Sequence, residues 1–446
     1  MGRLFGTDGV RGIANQDLTP ELVFSLGRAA AVALGGAGAR VVVGRDPRLS
    51  GDLLQAALAA GLISAGAEVW QAGVVPTAAV SYLTGYHKAR AGAMISASHN
   101  PVPDNGLKFF GPDGFKLPDE LEERIEALVA NPPTERPVGN ALKPVVELGA
   151  AALNPYREHL LSIVSGDFAG FKVVLDLAHG SATTMAAQLF ADLGLEVLTL
   201  HHEPDGSRIN VSCGSTHPEA LQQAVVEAGA DLGLAFDGDA DRLIAVDHKG
   251  RVVDGDHLLY TLGSWALHTG ELPGGAMVAT VMSNLGLKLA FNRRGGKIFE
   301  SPVGDRQVLE RMQATGAQLG GEQSGHLILL QHSPTGDGLL TALKLLEVLR
   351  DSGRGLAEWR DEMPKFPQVL INVRVKDKHG WERESAIRDS IRQAEDELGE
   401  AGRIFVRPSG TESLIRVMVE GPQEEHIRGL AGQVAATIEA TLGHRA

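Results

Sequence analysis

Cysteine, aromatic side chains and long apolar runs are all scarce in this chain of 446 residues. The single cysteine, Cys213, allows no internal disulfide, which is typical of a reducing compartment. Only 5% of the residues are aromatic and 55 are glycine, so an aromatic-rich β-sandwich is disfavoured and Ala/Val/Leu-rich α/β layers are favoured. No apolar run could span a bilayer, and the opening MGRLFGTDGVRG lacks a signal-peptide pattern. We therefore expect a cytoplasmic protein without a membrane partner.

Basic side chains are also in the minority, with 41 against 55 acidic ones and a formal net charge of -14. Such a surface repels nucleic acids and anionic lipids, so we expect no nucleic-acid partner. Any phosphate site must then be built locally from a few arginines and backbone amides. No strand-to-helix turn carries a Walker A sequence or a G-x-G-x-x-G fingerprint, which argues against nucleoside-triphosphate and dinucleotide chemistry.

Repeated pairs of an apolar β-rich run and a helix-period segment predict several α/β domains. The pairs are residues 40–44 with 52–64, 172–176 with 182–193, and 277–282 with 285–293. After Met363, alternating strands and helical patterns predict a small α+β domain. We expect the α/β fold class, with three α/β domains of mixed sheets plus a C-terminal α+β domain around a central cleft. The predicted domains are 1–150, 151–252, 253–365 and 366–446.

The strongest local pattern is DGDADR, a glycine-containing turn between two apolar strands. It brings together the carboxylates of Asp237, Asp239 and Asp241. Like charges at such range stay ionised together only if a cation compensates them, and all-oxygen ligation suits Mg²⁺. An EF-hand is excluded because Arg242 replaces its glycine and His248 its bidentate glutamate. A solvated acidic hairpin turn is the alternative.

A serine and a histidine stand side by side in ISASHNPVPDNGLKFF, directly after a short apolar strand. Pro101 disfavours the α conformation at Asn100. Ser98 and His99 are therefore predicted on an exposed bend at a strand end, where reactive groups are often presented. Ordinary turn chemistry is the alternative explanation of the same residues.

Two further loops carry side chains suited to phosphate and sugar recognition. RPSGTESLIR offers guanidinium groups, hydroxyls and backbone amides to a phosphate dianion, from Arg407, Ser409, Gly410, Thr411 and Arg416. A hairpin with two incidental arginines is the alternative. GGEQSGH offers Glu322 and Ser324 to a polyol or amino sugar. Together with the serine turn and the acidic turn, these loops could move a phosphoryl group between Ser98 and a phosphorylated sugar.

On these motifs the chain resembles the α-D-phosphohexomutase family along its whole length. Eight motifs follow the family's order: GTDGVRG, GRDPRLSG, ISASHNPVPDNGLKFF, DGDADR, VMSNLG, VGDR, GGEQSGH and RPSGTESLIR. GTDGVRG, ISASHNP and Gln323 favour the family's glucosamine branch. The phosphomannomutase/phosphoglucomutase branch is the alternative, followed by a metal-dependent phosphatase and a non-catalytic phosphosugar-binding regulator.

The resemblance implies an isomerase, an intramolecular phosphotransferase that acts on a small-molecule phosphosugar. Phosphorylated Ser98 would give its phosphoryl group to O1 of glucosamine 6-phosphate. The bound 1,6-bisphosphate would then reorient, return its other phosphate to Ser98 and leave glucosamine 1-phosphate for UDP-N-acetylglucosamine and peptidoglycan precursor synthesis. Mg²⁺ and sugar 1,6-bisphosphate are the implied cofactors. A homodimer is one candidate assembly.

The same matching assigns site residues. The implied metal ligands are Ser98, Asp237, Asp239 and Asp241. The implied substrate-binding residues are Arg242, Glu322 and Ser324, with Arg407, Ser409, Gly410, Thr411 and Arg416 on the phosphate that is not reacting. Lys108, His99 and Arg11 are the candidate acid/base residues, and Lys108 is preferred as the base. His179 stands where the family commonly has asparagine, and Cys213 is expected to be a structural thiol.

Overall fold

The computed structural model describes residues 4–6, 8–132, 134, 136–409 and 413–443. The chain forms two compact units. The large unit comprises Met1–Met282 and Arg294–Glu362, and the small unit comprises Ser283–Arg293 and Met363–Ala446. No helix in the described ranges is both long enough and apolar enough to cross a membrane.

The first sheet of the large unit carries the serine motif. Its strands and helices are β1 (Val10–Ile13), β2 (Arg40–Arg45), β3 (Glu68–Val74), β4 (Ala91–Ile95), β5 (Asp104–Phe110), β6 (Val145–Glu147), α1 (Pro20–Ala33), α2 (Gly51–Ser64), α3 (Thr77–Tyr86) and α4 (Asp119–Ala130). The strand order is β1-β5-β4-β2-β3-β6. β2 is parallel to β3 and β4, whereas β5 is antiparallel to β4. Every residue of β4 is buried, as expected of a strand with helices on both faces of its sheet.

The second sheet carries the acidic motif. Its strands and helices are β7 (Lys172–Asp176), β8 (Glu196–Leu200), β9 (Leu232–Phe236), β10 (Leu243–Asp247), β11 (Val252–Val253), α5 (Asn154–Ile163), α6 (Ala186–Ala191) and α7 (Glu219–Ala228). The order is β11-β10-β9-β7-β8. β9 and β10 are antiparallel neighbours, with Phe236 opposite Leu243. The acidic motif is therefore the turn of a buried hairpin.

The third sheet carries the GGEQSGH loop. The strands and helices of this region are β12 (Ala276–Thr280), β13 (Lys297–Ser301), β14 (Leu319–Gly321), β15 (Leu327–Leu329), α8 (Gly255–Thr269), α9 (Leu285–Arg293), α10 (Asp305–Thr315), α11 (Gly338–Ser352) and α12 (Leu356–Glu362). The order is β13-β12-β14-β15. β14 and β15 are antiparallel, so Glu322 and Ser324 lie on the turn between them. α9 belongs to the small unit.

The small unit is an antiparallel sheet with helices. It contains β16 (Gln368–Arg374), β17 (Arg403–Pro408), β18 (Leu414–Glu420), α13 (Ser385–Leu398) and α14 (Glu424–Leu442), in the strand order β16-β18-β17. Val369 and Val373 are buried while their neighbours are more exposed, the alternation of a sheet with one solvated face. Asn284, next to α9, donates to the carboxylate of Glu420 at 2.9 Å, which ties α9 to this unit.

The predicted fold class is confirmed: the first three sheets are mixed and carry helices, and an α+β domain ends the chain. The helix predicted over 182–193 is wrong in its extent, because residues 181–184 form a 3₁₀ turn. Met185 then has φ -150°, which interrupts the helix, and α6 spans only Ala186–Ala191. The predicted domain boundaries and the central cleft stay predictions.

Candidate active site

Ser98 lies on the turn between β4 and β5 in a left-handed backbone conformation, with φ +53°. This conformation costs a residue other than glycine about 1 to 2 kcal/mol, so its surroundings must hold it. The backbone N–H of Ser98 donates to Ser96 Oγ at 2.8 Å. Its carbonyl accepts from Arg48 Nη2 and from Asn210 Nδ2, each at 2.9 Å. The surrounding hydrogen bonds therefore fix the backbone that orients the serine hydroxyl.

Arg48 holds the rest of the serine turn in place by hydrogen bonds to its backbone carbonyls. Its side chain is buried, and Nε donates to Asp46 Oδ2 at 3.0 Å. The guanidinium also donates to the carbonyls of Asn100 at 2.7 Å, Pro101 at 2.6 Å and Asp104 at 3.0 Å. Sequence reasoning gave Arg48 no role, although GRDPRLSG contains both members of this buried ion pair. Nothing local in that motif shows that its arginine reaches a turn about fifty residues away.

The acidic turn meets the serine turn directly. Asp237, Asp239 and Asp241 are all buried, and each contributes a carboxylate oxygen to a cluster whose atoms lie within 4.8 Å of one another. Ser98 Oγ donates to Asp237 Oδ2 at 2.5 Å and lies 3.5 Å from Asp241 Oδ1. A Cβ on Gly238 would stand 2.7 Å from the Ser98 carbonyl oxygen, so the absence of a side chain permits this approach.

The acidic cluster has an excess of negative charge at its centre. Burial raises the pKa of Asp237, and the neighbouring Asp241 and Asp239 raise it further. Burial also acts to raise the pKa of Asp241, but Lys108 and His326 outweigh it and hold that pKa well below its usual range. A bound cation would remove the unfavourable repulsion between Asp237 and its two acidic neighbours.

The donor set fits a hard divalent cation. All three carboxylates offer oxygen, the ligand type that Mg²⁺ requires. Asp239 Oδ1 is shielded from solvent and has no hydrogen-bond partner among the described residues. An unsatisfied buried carboxylate oxygen is costly unless a ligand occupies it. The cluster therefore has both the charge and the open acceptor that a metal site needs.

Lys108 lies on β5 beside the cluster and is almost wholly buried. Its Nζ is 3.0 Å from Asp239 Oδ2, 3.0 Å from Asp8 Oδ2 and 3.4 Å from Asp241 Oδ2. Burial acts to lower the pKa of Lys108, but these carboxylates outweigh it and raise the pKa well above 10.5. Lys108 is thus a buried ammonium whose positive charge compensates part of the negative charge of the cluster.

The pKa of His99, unlike that of Lys108, is lowered by its surroundings. Its Nδ1 lies 3.4 Å from Ser98 Oγ. Burial lowers the pKa of His99 to about 4, with Arg242 and Arg11 contributing. The imidazole is therefore neutral near pH 7, the form that accepts a proton.

A cavity of about 400 Å³ opens beside the cluster within the large unit. Its lining includes Arg11, His99, Asp241, Arg242, Glu322 and His326. Arg11 donates to Ala97 O and to Asn100 Oδ1, each at 3.1 Å. Glu322 Oε1 accepts from the Gly304 N–H at 2.9 Å, and Ser324 Oγ, shielded from solvent, has no partner among the described residues. Cationic and acidic side chains thus line the cavity, as a phosphosugar site requires.

Several charged residues at this site were not anticipated from the sequence. Lys116 forms ion pairs with both Asp8 and Asp305, and His326 Nδ1 lies 3.6 Å from Asp241 Oδ2. Asp8, Asp305 and His326 belong to GTDGVRG, VGDR and GGEQSGH, but short charged motifs do not indicate which distant partner they meet.

The antiparallel strands β17 and β18, which precede and follow the predicted phosphate loop, belong to the small unit. Arg407 on β17 and Arg416 on β18 are directly opposite each other. Burial lowers the pKa of Arg407, and Arg416 lowers it further. Like charges placed opposite each other are unfavourable unless an anion lies nearby. Lys378 adds a third cation, donating to Ser409 O at 2.6 Å. Gly410 and Thr411 lie outside the described residues.

A second cluster of metal-ligand types lies apart from this site. Ligand atoms of Asp176, His201 and Cys213 also lie within 4.8 Å of one another. Asp176 accepts from Ala178 N at 3.0 Å, from His201 Nδ1 at 2.9 Å and from Gly214 N at 2.9 Å. Burial raises the pKa of Cys213 to about 12, so the thiol stays protonated. Both carboxylate oxygens of Asp176 therefore already accept hydrogen bonds from within the protein.

Four family models cover almost the whole chain. They match domains I, II and III of phosphoglucomutase/phosphomannomutase at residues 2–136, 154–250 and 254–366, and its C-terminal domain at 370–437. The chain belongs to the phosphoglucomutase/phosphomannomutase family. This membership confirms the predicted resemblance and the predicted class of enzyme, an intramolecular phosphotransferase.

Full-length relatives of this phosphohexomutase carry a more specific name. The phosphoglucosamine mutase of Carboxydothermus hydrogenoformans is 53% identical over 98% of this chain and 100% of its own. That of Moorella thermoacetica is 54% identical over 96% of this chain and 98% of its own. These relatives support the glucosamine branch, and the phosphomannomutase/phosphoglucomutase alternative has no better support.

Solved structures agree on the fold of this phosphohexomutase. A phosphoglucomutase/phosphomannomutase family protein from Burkholderia thailandensis is 25% identical, with a TM-score of 0.80 over 98% of this chain and 97% of that one. Aspergillus fumigatus N-acetylphosphoglucosamine mutase, solved with GlcNAc-6P and magnesium, is 20% identical, with a TM-score of 0.67 over 98% of this chain and 95% of that one. The roles of individual site residues stay predictions.

Proposed function

We propose that this phosphohexomutase interconverts glucosamine 6-phosphate and glucosamine 1-phosphate, with Ser98 as the residue that carries the phosphoryl group. The observation that supports this most is the 2.5 Å hydrogen bond from Ser98 Oγ to Asp237 Oδ2 inside a buried acidic cluster. A serine hydroxyl held against metal-ligand carboxylates is suited to phosphoryl transfer, in which positioning and charge neutralisation dominate. The full-length relatives named phosphoglucosamine mutase support the amino sugar as substrate.

Mg²⁺ is the proposed cofactor, held by Asp237, Asp239 and Asp241 with Ser98 beside it. When bound, it would neutralise charge on the phosphoryl group in transit. A magnesium-containing structural neighbour supports this choice of ion. Arg242 lines the cavity next to the cluster and would pair with a phosphate oxygen through its planar guanidinium.

The proton transfers fall to neighbouring groups of different protonation state. The neutral imidazole of His99, 3.4 Å from Ser98 Oγ, is in the proton-accepting form. The buried ammonium of Lys108 is in the proton-donating form, and a mutase cycle needs both a donor and an acceptor. In the first transfer the sugar hydroxyl loses a proton and Ser98 Oγ gains one, so Lys108, His99 and Arg11 are together the proposed acid/base residues. The sequence prediction preferred Lys108 as the base.

Substrate recognition is proposed for two loops. Glu322 and Ser324 would hydrogen-bond the sugar ring, because Ser324 Oγ has no hydrogen-bond partner among the described residues and Glu322 is held by the Gly304 N–H. The paired arginines Arg407 and Arg416, with Ser409, Gly410 and Thr411, would bind the phosphate that is not reacting. A sugar 1,6-bisphosphate would act as activator and intermediate.

The proposed cellular role is supply of glucosamine 1-phosphate for UDP-N-acetylglucosamine and peptidoglycan precursors in the cytoplasm. A homodimer remains one proposed assembly.

A ³¹P NMR time course tests the reaction. Full-length protein with Mg²⁺ and a trace of sugar 1,6-bisphosphate is incubated with glucosamine 6-phosphate and, in parallel, with glucose 6-phosphate. We expect much faster formation of the amino-sugar 1-phosphate, without release of inorganic phosphate. The Ser98→Ala variant is the control and should be inert.

Other results would replace the proposal. Equal or faster turnover of glucose 6-phosphate would indicate a phosphomannomutase/phosphoglucomutase. Release of free phosphate in proportion to the substrate consumed would indicate a phosphatase. Binding of the bisphosphate without turnover of either sugar would indicate a regulator.

A further inference from the structure

We propose that Thr77 is a positioning residue for the metal site, holding Asp239 so that one of its carboxylate oxygens is presented to the cation. This inference rests on the proposed function, because it assumes that the acidic cluster binds a divalent ion. Thr77 lies outside every motif singled out in the sequence.

Thr77 makes two bonds to the same aspartate. Its Oγ1 donates to Asp239 Oδ2 at 2.6 Å, and its backbone N–H donates to the Asp239 carbonyl at 3.0 Å. The residue is the first of α3, is 1% exposed, and stands 162 positions before Asp239 in the sequence. The first and second sheets of the large unit are therefore joined at a proposed ligand.

The two carboxylate oxygens of Asp239 are treated differently. Oδ2 accepts from Thr77 Oγ1 and also from Lys108 Nζ at 3.0 Å. Oδ1 is buried and has no hydrogen-bond partner among the described residues. Rotation of the carboxylate would break both bonds to Oδ2, so the donors on one side fix the open oxygen on the other. Hydrogen bonds of this kind orient metal ligands and tune their affinity.

The two donors to Oδ2 are not equivalent. Lys108 is shared with Asp8 and Asp241, so its position depends on three carboxylates. The hydroxyl of Thr77 is neutral and has Asp239 as its acceptor. Thr77 therefore orients Asp239 specifically, whereas Lys108 is divided among its partners.

Helix capping does not account for this hydroxyl. The N-cap of α3 is Pro76, and no side-chain capping bond forms there. Thr84, on the same helix, shows the ordinary arrangement, because its Oγ1 donates to the carbonyl of Val80 at 2.7 Å within α3. Thr84 is also fully buried, which makes it a matched control for loss of a threonine hydroxyl.

The test is a direct Mn²⁺ titration of the dephosphorylated full-length protein, followed by the EPR signal of free Mn²⁺. We expect Thr77→Val, which keeps the shape of the side chain, to weaken Mn²⁺ binding about 10- to 100-fold. Thr77→Ser, which keeps the hydroxyl, should bind Mn²⁺ close to the wild type. Thr84→Val should also bind like the wild type.

Activity gives a second readout. Thr77→Val should need more Mg²⁺ for half-maximal turnover, and its kcat should return close to the wild-type value at saturating Mg²⁺. A purely structural loss would lower stability without moving the Mg²⁺ requirement.

Three results would overturn the inference: wild-type Mn²⁺ affinity in Thr77→Val, equal weakening in Thr84→Val, or no recovery in Thr77→Ser. Should Thr77→Val fail to fold, Thr77→Ala takes its place in the same titration. Asp237→Asn reports on the metal site itself. If the wild type and Asp237→Asn both fail to bind Mn²⁺, the proposed metal site is wrong rather than the role of Thr77.

Discussion

The large unit contains two clusters of metal-ligand side chains, and their hydrogen bonding separates them. In the Asp176, His201 and Cys213 cluster, the carboxylate accepts from two backbone N–H groups and one imidazole. In the acidic cluster, three carboxylates face one another and Asp239 Oδ1 is left without a partner among the described residues. Both clusters bring metal-ligand side chains close together, but the acidic cluster also contains a buried carboxylate oxygen, Asp239 Oδ1, that has no partner in the described part of the chain and is free to accept.

This difference shows what a buried carboxylate does in each place. Asp176 ties together two loops that begin at Ala178 and Gly214, which is a structural task that it completes without a ligand. Asp237 gains a raised pKa from burial and from its two acidic neighbours, so its surroundings remain unfavourable until a cation arrives. The first cluster should govern stability and the second activity.

The largest expected contrast is between the hydroxyl of one cluster and the thiol of the other. Ser98→Ala removes the proposed phosphoryl carrier, and turnover should fall more than about a thousand-fold. Cys213→Ala should keep turnover per folded molecule but lose about 1 to 3 kcal/mol of stability, because it empties a fully buried position. ³¹P NMR and urea unfolding measure the two quantities. An inactive but stable Cys213→Ala would reverse the assignment of the clusters.

Amide substitutions test the carboxylates themselves. Asp237→Asn should lower kcat roughly a hundred- to a thousand-fold, since several kcal/mol of metal-dependent stabilisation are lost. It should not destabilise the metal-free fold, because one of three like charges disappears. Asp176→Asn should instead cost about 1 to 3 kcal/mol, since an amide NH₂ would face the Ala178 or Gly214 N–H. Steady-state kinetics with urea unfolding would contradict the comparison if both variants lost stability equally.

Mg²⁺ should stabilise the protein through the acidic cluster alone. At about 100 times its Kd, a ligand that binds only the native state adds roughly 2.7 kcal/mol. The rise in Tm with Mg²⁺ should therefore disappear in Asp241→Asn and persist in His201→Gln. Differential scanning calorimetry with and without a chelator measures it, and loss of the Mg²⁺ effect in His201→Gln would place an ion at the wrong cluster.

The smallest expected effect is a pH dependence at His201. Its hydrogen bond to Asp176 raises the pKa of His201 above the ordinary value. The protonated pair therefore stabilises the fold fully below the unfolded pKa of about 6.5, and this contribution is lost as the pH rises through the folded pKa. His201→Gln should be less stable than the wild type by about 0.5 to 1 kcal/mol at pH 6, and the gap should narrow by pH 9. A constant gap in urea unfolding would exclude the charged pair.

Local sequence patterns predicted the serine turn and the acidic turn, but they did not predict that the two turns contact each other. The apolar strands around DGDADR and before ISASHNP predict two strand-end turns, and both turns are present. The predicted exposure of Ser98 is wrong, because the acidic turn covers it and leaves it 1% exposed. The contact between Ser98 and Asp237 spans 139 positions, and nothing in the spacing of the motifs requires it. Only the resemblance to a family linked the two turns.

The residues that were missed share one property. Thr77, Arg48 and Asp8 are ordinary residue types whose partners lie far along the chain. Their roles come from tertiary contacts between segments that are distant in the sequence, which single-sequence patterns do not carry. The shortened helix α6 has a local cause instead, because the non-helical φ of Met185 opposes the apolar periodicity of residues 182–193.

Cys213 has a practical consequence for following this enzyme in motion. It is the only cysteine of the chain, is fully buried, and has a pKa raised to about 12 by burial. A thiol with these properties reacts slowly with maleimides. A cysteine introduced at an exposed position in each compact unit would therefore label selectively in the otherwise native sequence. Fluorescence or spin-label distances between the two units can then be recorded through a catalytic cycle, without first removing a native cysteine.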